Sequence, residues 1–273
     1  MHRNMRSSIH TLSLCFIFFT GFFSTSVSAD STSQPTISII IDDLGYRMKE
    51  DLRALALPGP VAYAILPQAP LTEKMSLIAA AKGKDILLHQ PMQAMGKNQY
   101  LGPGALTLNM TREEFIQTLN INMKNVPNLI GVNNHMGSLL TRHPGAMQWL
   151  METLKANGQF YVDSVTSDDS VAAELARENN IPYLTRDIFL DNKQSASYIR
   201  GQFMELIKVA KRKGSALAIG HPHETTIAVL SQMLQDINKY GVKLVSLKTL
   251  LLAQKQTNGN KYAQGPGTTR AGM

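Results

Sequence analysis

Five short apolar runs in this chain stop on ionisable side chains, and that recurrence limits the folds open to it. Ile37-Ser38-Ile39-Ile40-Ile41 runs into Asp42-Asp43, and Leu87-Leu88 runs into His89. Leu129-Ile130-Gly131-Val132 leads to Asn133-Asn134-His135, Tyr161-Val162 to Asp163, and Ala216-Leu217-Ala218-Ile219-Gly220 to His221. Strands of a parallel sheet are buried on both faces and read as unbroken apolar stretches. A barrel of such strands gathers its chemistry at their carboxyl ends. Aspartates and histidines delivered there from separate strands point to a metal-hydrolase site.

Eight strand-like runs, ending near Asp42, Leu66, His89, His135, Asp163, Asp187, His221 and Ser246, alternate with helical patterns. Alternation of this kind favours a mainly parallel sheet. Thr111-Arg112-Glu113-Glu114 is a capping box that opens a helix with Phe115 and Leu119 on one face. Ser195 and Thr225 read as further N-caps, and Gly83, Gly158, Gly214 and Gly241 each end a helical pattern ahead of a strand. The expected fold is α/β, a (β/α) barrel of seven or eight units, with an open doubly wound sheet as its competitor. The stretch Pro91–Met110 lacks periodicity and follows the His89 strand, so it is expected to lie over the barrel mouth, where loops tend to be functional. Met147, Trp149, Leu150, Met151 and Leu154 form a helical stripe that reads as core.

Both ends of the chain differ from this body. Arg3 and Arg6 precede an apolar segment from Leu12 to Phe23, and Val27-Ser28-Ala29 resembles a cleavage site, so residues 1–29 are expected to be a signal peptide. The segment is shorter than the roughly 20 residues that span a bilayer. An exported, periplasmic product with no membrane span after cleavage is expected, retention as an anchor being the alternative. The only cysteine, Cys15, lies in that leader, leaving the mature chain without a disulfide, a thiolate ligand or a cysteine nucleophile. Residues 254–273 are polar and glycine-rich and are expected to be disordered. Residues 30–253 then form one domain. The formal net charge is +7, much of it in the leader and the tail. Lys211-Arg212-Lys213 suits a helix C-terminus, and without a clustered basic face nucleic-acid binding is not expected.

The strand-end residues divide by chemistry. At the end of a strand the chain turns, so Asp42 and Asp43 can approach one site, one binding a metal while the other takes a proton from water. A helix N-cap pair ahead of Gly45 is the structural alternative. His89 and His135 are natural ligands through neutral imidazole, and an Asp-His-His set with an open fourth position suits Zn2+ among the divalent metals. His221, in Gly220-His221-Pro222-His223, is placed to act as a general acid toward a leaving amine.

Taken together these segments carry a resemblance. Ile-Ile-Asp42-Asp43-Leu-Gly45, Leu-Leu-His89-Gln-Pro91-Met92, Gly131-Val-Asn-Asn134-His135-Met-Gly137-Ser138, Val-Asp163-Ser164, Phe-Leu-Asp191-Asn192 and Ile-Gly-His221-Pro222 resemble, in consistent order, the divergent polysaccharide deacetylases. These are a remote branch of the NodB-homology carbohydrate esterases. The resemblance implies a distorted (β/α) barrel and metal-dependent removal of N-acetyl groups from an amino-sugar glycan or cell-wall fragment. It implies Asp42 as catalytic base, Asp43 and His89 as metal ligands and His221 as acid. Main-branch esterases carry a second metal histidine four residues after the first, where this chain has Gln93, and His135 is inferred to supply that ligand from the next strand. Asn134, Ser138, Asp163 and Asp191 are expected to hold substrate or to orient ligands and His221. Gln93 motivates one rival reading, a barrel that binds glycan or an envelope partner without turnover. The paired carboxylates motivate another, a metal hydrolase such as a phosphoesterase.

Overall fold

The computed structural model describes Met1 and residues 34–254. Among them nine strands pair in parallel: β1 (Thr36–Leu44), β2 (Ala62–Ile65), β3 (Ile86–Met92), β4 (Gly131–Met136), β5 (Phe160–Asp163), β6 (Tyr183–Thr185), β7 (Ile188–Phe189), β8 (Ser215–Gly220) and β9 (Lys243–Leu244). Their order is β6-β5-β4-β3-β2-β1-β8-β7, with β9 beside the start of β1. Helices α1 (Met48–Leu55), α2 (Thr72–Ala81), α3 (Arg112–Asn125), α4 (Pro144–Ala156), α5 (Ala172–Glu178), α6 (Ala196–Lys213) and α7 (Glu224–Gln235) connect them. A last helix covers 247–254.

The two ends of that strand order, β6 and β7, are successive in sequence, and this closes the curl. β6 pairs with β5 and β7 with β8. Between them the Arg186 N–H donates to the Asp163 carbonyl (3.0 Å), and the Asp187 N–H donates to the Leu217 carbonyl (2.8 Å). One bent segment therefore touches both walls, and the single strand expected to end at Asp187 is split in two. The last unit shrinks to the two residues of β9. The fold is the distorted barrel expected, not the doubly wound sheet.

Side chains alternate across each strand, and the core divides accordingly. Ile37, Ile39, Ile41, Leu88, Val132, Tyr161 and Ala218 belong to one apolar cluster, together with residues of the helices. Ile40, Leu87, Phe160, Val162, Leu184, Leu217 and Ile219 belong to a second cluster within the strands, joined by Leu247 and Leu250 of the last helix. This inward set decides which strand-end residues reach the mouth.

The helix signals mostly hold. Thr111 and Glu114 form both halves of the capping box, and the Ser195 hydroxyl accepts from the Tyr198 N–H. Thr225 does not cap α7, whose N-cap is His223. Trp149 packs edge-on against Phe115 beside buried Met147, Leu150, Met151 and Leu154. β3 continues beyond the expected end at His89. It does so through Pro91 because β2 stops at Ile65, and Leu106 of the following loop takes that side, its N–H donating to the Pro91 carbonyl (2.9 Å). Gln254 is still helical, so the expected tail boundary falls within that helix. Residues 2–29 of the expected leader and 255–273 of the expected tail lie outside the described residues. No helix among the described residues is long and apolar enough to cross a membrane.

Candidate metal and acid–base site at the barrel mouth

Asp42 follows Ser38 and Ile40 on the inward side of β1 and is 2% exposed. Asp43 would point outward by alternation, but the β1–β2 register shifts between Ile41 and Leu44 and Asp43 adopts φ +62°. Aspartate tolerates this left-handed conformation better than most residues. The bulge thus turns two successive carboxylates toward one place. Gly45 continues the turn at φ +125°, where its N–H donates to the buried Asp51 carboxylate (2.9 Å).

Asp43 Oδ1 lies 3.1 Å from His89 Nε2 and 3.0 Å from His135 Nδ1, and these two nitrogens are 3.2 Å apart. The three atoms form a nearly equilateral triangle. Donors on one face of a cation at about 2.0–2.1 Å stand about 2.9 Å apart in octahedral and about 3.4 Å apart in tetrahedral coordination. The observed edges fall between. Asp43 Oδ1 is buried and has no hydrogen-bond donor aimed at it. The outer nitrogen of each ring faces an oxygen: His89 Nδ1 is 2.9 Å from Asn133 Oδ1, and His135 Nε2 is 3.3 Å from the Tyr100 carbonyl. Each neutral ring then carries its proton on the outside and turns a lone pair inward. Two lone pairs and a carboxylate oxygen meeting at one point repel unless a positive charge sits among them. The donor set fits a divalent cation.

The surrounding charges agree. Burial pushes Asp43 upward, but its interactions with His135 and His89 outweigh that and hold it well below the usual carboxylate range. Burial also raises Asp42, the opposing pull of His89 and His221 notwithstanding. His89 is lowered by burial and raised more strongly by Asp42 and Asp43.

His221 enters from the opposite wall. The buried Asp191 carboxylate receives its ring through Nδ1 (2.9 Å) and its backbone N–H (2.7 Å), with the Thr226 hydroxyl donating to the same carboxylate (2.8 Å). His221 Nε2 is left toward the mouth, 4.0 Å from Asp43 Oδ2. Burial lowers this ring, but Asp191 and the Asp43 charge raise it to about 9. Asp191, His221 and His223 also cluster closely enough to share an ion. Both Asp191 oxygens are already engaged, and His223 Nε2 lies 3.1 Å from the Gln194 amide.

Of the residues expected to orient ligands or hold substrate, only Asp191 contacts the site. Asn134 lies on the outward side of β4, where its carbonyl accepts from Tyr161 Oη (3.0 Å) and the Ser164 N–H (2.9 Å). Asp163 shares the outward side of β5 with Tyr161 and accepts from the Val165 N–H and the Ser170 hydroxyl (both 2.8 Å), so it does not reach His221. Ser138 accepts from the Met95 N–H (3.1 Å), and Gln93 accepts from the Leu108 N–H (2.8 Å). Both pin the loop after β3. The site residue that sequence reasoning missed is Asn133, and its signal was parity: it stands two residues before His135, on the same face of the strand.

Comparison with known proteins agrees with this picture. An uncharacterized protein of Haemophilus influenzae is 37% identical over 234 residues, covering 85% of this chain and 83% of the relative. The crystal structure of an uncharacterized Agrobacterium tumefaciens protein superposes with a TM-score of 0.77 at 22% identity, covering 80% of this chain and 89% of that one. The catalytic domain of a peptidoglycan N-acetylglucosamine deacetylase from Eubacterium rectale shares the fold at a TM-score of 0.50 and 12% identity, over 79% of this chain and 89% of that one. The profile of the divergent polysaccharide deacetylases matches residues 39–251, a span that runs from inside β1 to the last helix and takes in Asp42, Asp43, His89, His135 and His221. By that match, the chain belongs to the divergent polysaccharide deacetylase family.

Proposed function

We propose that this protein is an exported, metal-dependent hydrolase that removes N-acetyl groups from an amino-sugar glycan, with cell-wall material in the periplasm as its substrate. The observation that carries the reading is the triangle of Asp43 Oδ1, His89 Nε2 and His135 Nδ1, in which the outer nitrogens of both rings are held by oxygens. Family membership supports the substrate class, and the leader expected over residues 1–29 supports the location.

Asp43, His89 and His135 would hold the cation, and two imidazoles with one carboxylate favour zinc over magnesium or calcium. When bound, the cation supplies Lewis acidity to the acetyl carbonyl and lowers the pKa of water. Asp42 takes the proton from the attacking water. Its burial makes it a stronger base than a solvated carboxylate. His221 approaches from across the mouth, and the Asp191 carboxylate favours its protonated form, ready to donate from Nε2. Water adds to the carbonyl carbon, the C–N bond breaks, and the departing nitrogen takes the proton from His221. Acetate and a free amino sugar result.

The test is to measure bound zinc and acetate release from N-acetylglucosamine oligomers and from peptidoglycan, beside Asp42→Asn. Near-stoichiometric zinc is expected, with release falling about 10²–10⁴-fold in a variant that still binds metal. Zinc-saturated wild type that frees no acetate from either substrate would refute the reading.

A further inference from the structure

We infer that Asn133 is a positioning residue whose single buried amide sets both the lone pair that His89 offers a cation and the oxygen that Asp42 offers water. The inference rests on the hydrolase reading and adds to it a device linking the metal site to the base.

Asn133 is fully buried on β4, directly opposite His89 on β3. Its Nδ2 donates to Asp42 Oδ1 (2.9 Å), while its Oδ1 faces His89 Nδ1 (2.9 Å). The orientation of the amide follows from its neighbours. An ionised carboxylate only accepts, so the amide nitrogen must face Asp42 and the carbonyl oxygen must face His89. That oxygen also only accepts, so His89 carries its proton on Nδ1. In the neutral ring Nε2, at one corner of the triangle, is then left as a bare lone pair. The bond to Asp42 Oδ1 fixes that carboxylate as well, leaving Oδ2 on the side of the metal-site histidine, 3.7 Å from His89 Nε2.

No other side chain of this size does both. Leucine would fill the space and serve neither partner. Aspartate would accept from His89 but would set a second carboxylate against Asp42. Asn134, one residue on, has the same chemistry on the opposite face, where it ties β4 to Tyr161 and Ser164. It is the natural control for a structural role.

Two measurements test the assignment. Long-range ¹H–¹⁵N correlation on the metal-free protein at alkaline pH should show His89 as the Nδ1–H tautomer. Zinc titration by calorimetry should find binding weakened about 10–100-fold in Asn133→Leu, as for other partners that orient metal ligands. Asn133→Asp should hold zinc within several-fold of wild type and lose kcat with little change in KM. Asn134→Ala should melt earlier and bind zinc as wild type does. An Nε2–H tautomer at His89 would overturn the inference, as would an Asn133→Leu protein that binds zinc at full strength or an Asn134→Ala protein that loses as much. If Asn133→Leu does not fold, the wild-type tautomer and Asn133→Asp decide. Wild type that binds zinc but releases no acetate would sink the hydrolase reading, and the His89 tautomer would then settle the role of Asn133 by itself.

Discussion

Two histidines face the barrel mouth with Nδ1 tied down and Nε2 turned into the site, yet they are held by different groups. His89 is anchored by the neutral amide of Asn133, His221 by the carboxylate of Asp191. An amide oxygen accepts one proton and adds no net charge, so the neutral form of the ring beyond it keeps a lone pair for a cation. A carboxylate stabilises the imidazolium, and His221 rises to about 9. Burial acts downward on both rings, so the anchor together with the charges around it decides the outcome. His89 also stands between two carboxylates that draw positive charge to it, and a cation can satisfy that field in place of a proton. Under the proposed function, the same residue type on two strands of one barrel would serve as a ligand on one wall and as an acid on the other.

Removing the proposed acid should have the greatest effect. His221→Gln should lower acetate release by about 10²–10⁴-fold and leave zinc stoichiometry intact, because His221 is not among the triangle atoms. Loss of zinc with activity would mean that the two walls are one site.

Exchanging the anchor is gentler and tests its charge. Asp191→Asn makes the support of His221 resemble that of His89, and the alkaline limb of the rate profile should move down toward about 6.5, the ordinary histidine value. Activity at pH 8 should drop about 10–30-fold, the protonated fraction having fallen by that order. Stability has a definite sign. A histidine raised on folding contributes stability fully below its unfolded pKa, and the contribution is lost as pH rises through about 9. Asp191, lowered by the same ring after burial is overcome, contributes above its unfolded pKa and ceases to as pH falls through its folded value. Wild type should therefore exceed Asp191→Asn by about 2–3 kcal/mol between roughly pH 4 and 6.5, and the gap should narrow toward pH 9. A gap that widens with alkalinity would show that Asp191 does not hold a charged ring.

Much of this was legible in the residues. Apolar runs ending on Asp42, His89, His135 and His221 marked the strands and the mouth, because burial on both faces leaves a run with no polar interruption until the sheet ends. Parity along each strand sorts the strand-end residues further. Counting by two from the inward Ile40, Leu87 and Ile219 reaches Asp42, His89 and His221, whereas counting from the outward Val132 and Tyr161 reaches Asn134 and Asp163. Asp43 breaks parity, and its inclusion depends on the bulge and φ +62°, which no side-chain pattern announces. The split of the strand at Asp187 was equally hidden. It arises because one segment must satisfy carbonyls on two walls, Asp163 and Leu217, a constraint set by closure of the barrel.

The smallest expected effect probes how far His135 depends on a loop. The Tyr100 carbonyl that faces His135 Nε2 belongs to the segment after β3, and that segment is clamped at Gly104. The Gly104 carbonyl accepts from Asn122 Nδ2 (2.7 Å) and Gln90 Nε2 (3.0 Å), both from buried side chains. Gly104 sits at φ +75°, and a Cβ there would meet Asn122 Oδ1 at 2.6 Å and Gln68 Nε2 at 2.7 Å. Gly104→Ala should therefore cost about 1–3 kcal/mol through strain and displaced amides, read as a lower Tm. Zinc affinity should fall only a few-fold, since Asp43 and His89 are held from β1, β3 and β4 and only His135 loses a fixed acceptor. A drop as large as that of Asn133→Leu would make the loop, rather than the strands, the principal support of the metal site.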